Sequence, residues 1–240
     1  KLFPNKLNAF AYVDPNIIVQ NRTVNESTIE VTNQEPIDFN YFEILDTSDW
    51  EDWKHKYIDS ILLKGEYDLM IDDLTNNIYE FQLFTKEFCR ELVQLSEYHN
   101  NWTTNRHDFY PTNDILLSDI NLQTIYNRVL SELVYPLCIH IWSLEGIEWS
   151  SMRSENFVAR YTVDNQSHLS LHHDSSHITM VVKLNSDYDG GGTWFPKYKV
   201  LSNPEREGVA TLHPGMITHL HGARPIYSGK RYICVSFMSK

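Results

Sequence analysis

A change of hydrophobic period near residue 155 narrows the possible folds more than any other feature of this sequence. From there on, apolar residues fall at every second position. Phe157, Ala159 and Tyr161 alternate with Val158 and Arg160, and Ile178, Met180, Val182 and Leu184 alternate with Thr179, Val181 and Lys183. Successive side chains of a strand point to opposite faces, so a period of two specifies strands. Gly190-Gly191-Gly192 punctuates, and Thr193-Trp194-Phe195 reads as the next strand. His213-Pro214-Gly215 reads as a turn, residues 217–222 as a strand, and residues 232–237 as the closing strand.

Before residue 155 the period is helical. Ser48 and Glu51 make a capping-box pattern, and Trp50, Trp53, Tyr57 and Ile61 follow at helical spacing. A second helix is expected from about Thr85, with Phe88, Leu92 and Leu95 on one face. A third runs from about Leu122 through Ile125, Val129 and Leu133 and stops before Pro136. Helices first and strands later predict an α+β fold, with short strands forming a sandwich or jelly roll and helices backing one sheet. Residues 1–45, rich in Asn, Asp, Thr and Pro, read as an irregular or short-stranded extension, and residues 46–240 as the domain.

Charge limits the partners. The net charge is -12, which disfavours nucleic acid, where phosphates demand Lys and Arg, and suits a cationic partner such as a lysine-bearing peptide. Acidity also serves solubility alone. No apolar run approaches the roughly 20 residues that cross a bilayer, and no secretory leader is visible at the start of the sequence. Cys89, Cys138 and Cys234 lack metal-type spacing and read as buried free thiols. Sequons occur at Asn21, Asn25, Asn101 and Asn165, compatible with a secretory route.

Seven of the eleven histidines lie between residues 168 and 221. Among them His172 and Asp174 stand two apart, so an extended chain turns both to one side and His173 to the other. With a histidine from a neighbouring strand they would form a two-His, one-carboxylate facial triad, the ligand set of non-heme Fe(II) oxygenases. His213, His219 and His221 are candidates for that place, and His219 and His221 share a strand face, so periodicity does not choose. Arg231, ten residues after His221, begins the last strand. A guanidinium grips a carboxylate through two parallel hydrogen bonds and so suits a dicarboxylate cosubstrate.

Several stretches together resemble the catalytic domain of the procollagen-lysine, 2-oxoglutarate 5-dioxygenases, the lysyl hydroxylases. They are Ala159-Arg160-Tyr161, Leu171-His172-His173-Asp174-Ser175-Ser176, Asp187-Tyr188-Asp189-Gly190-Gly191-Gly192 and His213-Pro214-Gly215. Thr218-His219-Leu220-His221-Gly222, Gly229-Lys230-Arg231-Tyr232-Ile233 and Val235-Ser236-Phe237 continue the likeness. Upstream, residues 53–58 and 87–93, Asn101-Trp102 and Arg106-His107 extend it to about residues 50–240.

The resemblance implies a double-stranded β-helix, or jelly-roll, core. It also implies Fe(II), 2-oxoglutarate as cosubstrate, ascorbate as reductant, and hydroxylation of lysyl residues in collagen-like peptides. The family spacing between distal ligand and cosubstrate arginine assigns His172, Asp174 and His221 to iron and Arg231 to 2-oxoglutarate. Tyr161 then falls at a cosubstrate-pocket position and His219 beside the ligands. Thr193 and Val181 depart from residues common in the family, Cys and Asn, near the expected pocket. Asp187 and Asp189 are candidates for an acidic entrance. A homodimer and a secretory or endoplasmic-reticulum setting are further implications, with Leu220, turned away from the metal by alternation, as a candidate contact. The rival readings are a prolyl hydroxylase, which tends to use Lys in place of Arg231, and a non-catalytic collagen-binding module. Glycosyltransferase modules accompany some family members.

Overall fold

The computed structural model describes residues 42–107, 109–143 and 151–240. The chain divides into two compact units, Lys1–Pro36 and Ile37–Lys240. The expected extension over residues 1–45 lies outside the described residues up to Tyr41, as do the sequons at Asn21 and Asn25.

Helix α1 (Trp50–Tyr57) is capped by Asp49, not Ser48: the Asp49 carboxylate accepts from the Asp52 amide at 3.0 Å. A carboxylate there also meets the positive end of the helix dipole. The helix ends before Ile61 because Ile58 bridges to Phe84 and the Asp59 amide donates to the Leu83 carbonyl. Ile61 therefore belongs to a separate turn, α2 (Ser60–Leu63), capped by Asp59. Helix α3 (Lys86–His99) starts after Thr85 as expected and buries Phe88, Leu92 and Leu95.

The third helical stretch passes its expected stop. Helix α4 (Gln123–Val129) runs through a π-helical turn at Leu130–Val134 into α5 (Tyr135–Trp142), with Pro136 in the first turn of α5. Proline lacks an N–H and crowds the carbonyl four residues back. The wide turn just before it has already left the regular ladder, so the proline is accommodated there. No described helix is long and apolar enough to cross a membrane.

The strands are β1 (Asp72–Thr75), β2 (Ile78–Gln82), β3 (Asp114–Leu116), β4 (Arg153–Thr162), β5 (Leu169–His172) and β6 (Ile178–Lys183), followed by β7 (Tyr188–Gly190), β8 (Thr193–Phe195), β9 (Val200–Ser202), β10 (Val209–Pro214), β11 (His221–Ala223) and β12 (Ile226–Ser239). The larger sheet has the order β1-β2-β10-β6-β12-β4-β3, with β7 also on β12. The smaller sheet is β5-β11-β8-β9. This is the jelly-roll core that the resemblance implied.

Two local expectations fail. His213 and Pro214 end a strand instead of making a turn, and Pro214 pairs with Ile178 at the last register position. A strand end tolerates the missing donor. Residues 217–220 are not strand: Ile217 has φ 55°, which turns the chain, and β11 starts only at His221. Leu220 is therefore not an outward strand residue. It lies half-buried in the connection.

Alternation divides the larger sheet between two cores. Val158, Met180, Val182, Leu212, Cys234 and Met238 pack against the helices. Phe157, Ala159, Tyr161, Ile233 and Val235 face the other way, toward the smaller sheet. The helical side is aromatic: Phe84 stacks on Phe88 with ring centroids 3.6 Å apart. Cys89, Cys138 and Cys234 are buried and free, as expected.

Candidate metal centre

The floor of the site follows from one strand pair. Strands β4 and β12 run antiparallel in unbroken register, with Tyr161 opposite Arg231, Ala159 opposite Ile233, Phe157 opposite Val235 and Glu155 opposite Phe237. All of these line one cavity of about 590 Å³. The facing wall comes from the smaller sheet and the loop after β5, and includes His172, Asp174, Thr193 and His221.

His172 ends β5 and His221 begins β11, and the two are register partners. Asp174 lies just past β5, so strand alternation alone does not place it. A loop does, and Thr179 pins it by donating its hydroxyl to Asp174 Oδ2 at 2.6 Å. That leaves the Ser176 hydroxyl to donate to Thr179 Oγ1 at 2.7 Å. His172 Nε2 is 3.2 Å from Asp174 Oδ1, and His221 Nε2 is 3.4 Å from Asp174 Oδ2. The ligand-type atoms of all three residues lie within 4.8 Å of one another. His173 is exposed at the cavity wall and outside this group, though not turned wholly away from the cavity.

Both imidazoles are oriented from behind. His172 Nδ1 lies 2.8 Å from the Ser170 carbonyl, and His221 Nδ1 lies 2.9 Å from the His219 carbonyl. A carbonyl only accepts, so each Nδ1 carries a proton and each Nε2 is turned to Asp174; in the neutral ring that Nε2 would offer its lone pair to a metal. This donor set, two imidazole nitrogens and a carboxylate with one side open, fits a divalent iron.

Electrostatics keep the carboxylate charged. Burial works to raise the Asp174 pKa, but the His172 hydrogen bond, the neighbouring His221 and His213 and the Thr179 hydroxyl hold it down at about 2. Burial works to lower that of His172, yet bonds to Asp174 and the Ser170 carbonyl carry it above its ordinary value. His221 is lowered, chiefly by burial.

His213 stands outside the converging group. It is fully buried between Phe195 and His221, with ring centroids 4.9 and 4.7 Å away. Its Nε2 has no hydrogen-bond partner among the described residues. Burial pushes its pKa down to about 3. The folded ring stays neutral where the unfolded one, near 6.5, takes up a proton. Its contribution to stability is therefore whole above about pH 6.5 and lost as pH falls toward 3. We expect His213→Gln to flatten the fall in melting temperature between pH 7 and 4 in metal-free protein. An unchanged slope would show that this ring does not carry the acid sensitivity.

Arg231 is 5% exposed, and its Nε and Nη1 lack hydrogen-bond partners among the described residues. Its guanidinium lies 5.2 Å from the Tyr161 ring centroid, and it lines the cavity. Tyr161 is itself buried, which raises its phenol pKa. Gly191, at φ 73°, makes room for the arginine: a Cβ there would stand 3.0 Å from Arg231 Cδ. A buried cation without a partner is costly, and a carboxylate would satisfy it. The residues thus fit 2-oxoglutarate. Thr193 and Val181, the two departures from the family pattern, both line this cavity.

The expected acidic entrance is elsewhere. Asp187 accepts from Asn185 and Asp189 from Ser228, and neither lines the cavity. Besides Asp174, the carboxylate that lines it among the described residues is Glu155, held by Arg106, which also pairs with buried Asp114. Tyr110, whose ring centroid is 4.9 Å from that of His172, is a second feature that sequence reasoning missed. Tyr110 carries no local signal, since it arrives from a remote part of the chain, whereas strand alternation puts Glu155 on the face of Phe157, Ala159 and Tyr161.

No protein-family model matches the chain. Among curated proteins, it is 35% identical over 202 residues to the multifunctional procollagen lysine hydroxylase and glycosyltransferase LH3 of Rattus norvegicus, covering 78% of this chain and 27% of that protein. It is 30% identical over 199 residues to human procollagen-lysine,2-oxoglutarate 5-dioxygenase 2, with the same coverages. A procollagen lysyl hydroxylase and glycosyltransferase of Acanthamoeba polyphaga mimivirus is 31% identical over 205 residues, with 79% and 23% covered. Among solved structures, a prolyl hydroxylase from Trichoplax adhaerens, in complex with a hypoxia inducible factor oxygen degradation domain peptide fragment, superposes with a TM-score of 0.53 at 18% identity. That match covers 75% of this chain and 93% of the other, and it shows the fold. The chain spans about a quarter of the length of the curated relatives it matches, and over that span it is a homologue of the procollagen-lysine 2-oxoglutarate 5-dioxygenases.

Proposed function

We propose that this domain hydroxylates lysyl side chains of collagen-like polypeptides, with Fe(II) held by His172, Asp174 and His221 and the distal carboxylate of 2-oxoglutarate on Arg231. The observation that carries the reading is the presence in one cavity of a converging His-Asp-His set and a buried guanidinium with two donor atoms unpaired among the described residues. Bound iron and 2-oxoglutarate supply the oxidising chemistry, with succinate and carbon dioxide as co-products. The protein's part is positional. Ser170 and His219 carbonyls fix the imidazole tautomers, and Thr179 fixes the carboxylate. Tyr161 walls the cosubstrate end beside Arg231. Phe157, Val235 and Phe237 keep the middle of the cavity apolar, which excludes water and suits the aliphatic stem of a lysine. Glu155, its side chain 48% exposed, offers a carboxylate to the ammonium group.

The same reading includes ascorbate as reductant and a secretory setting, to which the exposed Asn101 and Asn165 sequons are suited. It also includes a homodimer. Leu220 is half-buried, and the exposed apolar residues of its segment are Met216 and Ile217, the latter 83% exposed. Sedimentation of the full chain tests that part.

The main test is succinate release with Fe(II), 2-oxoglutarate and ascorbate in the presence of Gly-X-Lys or Gly-X-Pro repeat peptides, followed by amino-acid analysis. The expected result is turnover and hydroxylysine with the lysine peptide only. Hydroxyproline without hydroxylysine would move the assignment to a prolyl hydroxylase. Peptide binding without iron or 2-oxoglutarate binding would point to the non-catalytic module.

A further inference from the structure

His219 is excluded from the converging group, and its surroundings give it another task. Its ring is buried, with Nε2 2.8 Å from the Asn76 carbonyl and Nδ1 2.7 Å from Thr218 Oγ1. The carbonyl requires a donor, so Nε2 carries the proton and Nδ1 accepts from the threonine hydroxyl. Asn76 and Asn77 form the turn of the β1–β2 hairpin, with φ of 49° and 66°. Asparagine tolerates that left-handed pair. The turn is held from its far side too, because the indole N–H of Trp142, the last residue of α5, donates to Asn77 Oδ1 at 3.1 Å. On the near side, the His219 carbonyl accepts the Nδ1 proton of His221 at 2.9 Å. A continuous set of contacts thus runs from the helical layer, through the hairpin turn and the His219 ring, to the back of His221.

The segment that needs this anchoring is irregular. Residues 216–220 lie outside any strand, and Met216, Ile217 and Thr218 are exposed. Besides the His219 ring, the Tyr198 hydroxyl restrains the segment, through the Thr218 carbonyl at 3.1 Å. A carbonyl that orients a metal-binding imidazole can do so only if it is itself fixed, and loss of such outer partners typically costs about 10–100-fold in metal affinity.

We propose that His219 is a positioning residue: by tying residues 216–220 to the β1–β2 turn, it holds the carbonyl that sets the tautomer and plane of His221. The proposal rests on the reading of His221 as an iron ligand.

The test uses the full chain. Co(II) affinity, by competition with a chromophoric chelator, and melting temperature are measured for His219→Ala, His219→Gln, Asn77→Gly and His221→Ala. Exchange of the His221 Nδ1 proton is followed by NMR in the metal-free protein. His219→Ala should lower Co(II) affinity about tenfold and speed that exchange. His219→Gln keeps an N–H for the Asn76 carbonyl and should restore most of both. Asn77→Gly preserves the turn but loses the Trp142 bond, so it should shift both readouts in the same direction, by about threefold or less. Wild-type affinity and exchange in His219→Ala, or a glutamine variant no better than alanine, would overturn the proposal. If His221→Ala binds Co(II) like the wild type, the ligand assignment has failed and the proposal with it. Altered proton exchange in His219→Ala separates that case from failure of the tether.

Discussion

Arg231→Met should raise the 2-oxoglutarate requirement at least about 100-fold while making the metal-free protein more stable. The two effects share one cause. The guanidinium is buried with two donor atoms unpaired among the described residues, and holding a charge in that state costs several kcal/mol. Methionine has similar length and no charge, so the empty cavity loses a penalty. The cosubstrate loses two charge-assisted hydrogen bonds of about 1.5–3 kcal/mol each, which sets the lower bound on the change in KM. Thermal unfolding with and without 2-oxoglutarate checks both halves. The wild type should gain stability with the ligand, whereas the variant should start higher and gain little. Arg231→Lys should fall between the wild type and Met in KM, because an ammonium keeps the charge but cannot reproduce the fork. A variant that is less stable and still responds to 2-oxoglutarate would remove Arg231 from the cosubstrate site.

His172→Ala is expected to bring peptide-dependent succinate release to background and to cost more in metal affinity than the 10–100-fold typical of an outer partner. Two things are lost together: a ligand nitrogen and the hydrogen bond that is the main influence holding the Asp174 pKa down against burial. Asp174 then keeps Thr179 and the His221 contact but should take up a proton more easily. Metal competes with protons for such ligands, and His172, whose pKa lies above its ordinary value, is the ligand that takes up a proton near neutral pH, so without it the residual affinity should fall less steeply with decreasing pH than in the wild type. Anaerobic Fe(II) titrations at pH 6 and 7.5 read this directly. Turnover that survives at more than a few per cent would exclude His172 as a ligand.

What could be read from the sequence follows from the range of each interaction. The α+β order, the three helical stretches and most strands were legible because burial on one face writes a period into neighbouring residues. Asp49 replacing Ser48 as cap, and Pro136 riding inside a helical stretch, were not, because each depends on a geometric alternative that the same residues allow. Periodicity left His213, His219 and His221 tied, since what distinguishes them is long-range: His221 pairs in register with His172, His219 meets the hairpin turn, and His213 is sealed behind Phe195. The entrance was misplaced for the same reason. Asp187 and Asp189 lie near the glycine run in sequence, but strand pairing brings Glu155 to the cavity.

The unbroken pairing of β4 with β12 also imposes a parity rule on mutation. On both strands, odd-numbered residues from Arg153 to Tyr161 and from Arg231 to Ser239 line the cavity, joined at the start of β4 by Ser154, while Val158, Tyr232, Cys234 and Met238 belong to the helical core. Two messages are interleaved in one ribbon. Odd positions beyond the Tyr161–Arg231 pair can drift to suit a new guest without disturbing the helices, and the even positions of the helical core can be repacked without touching selectivity. A single-residue insertion in either strand would exchange the two sets, so length here should tolerate far less change than composition.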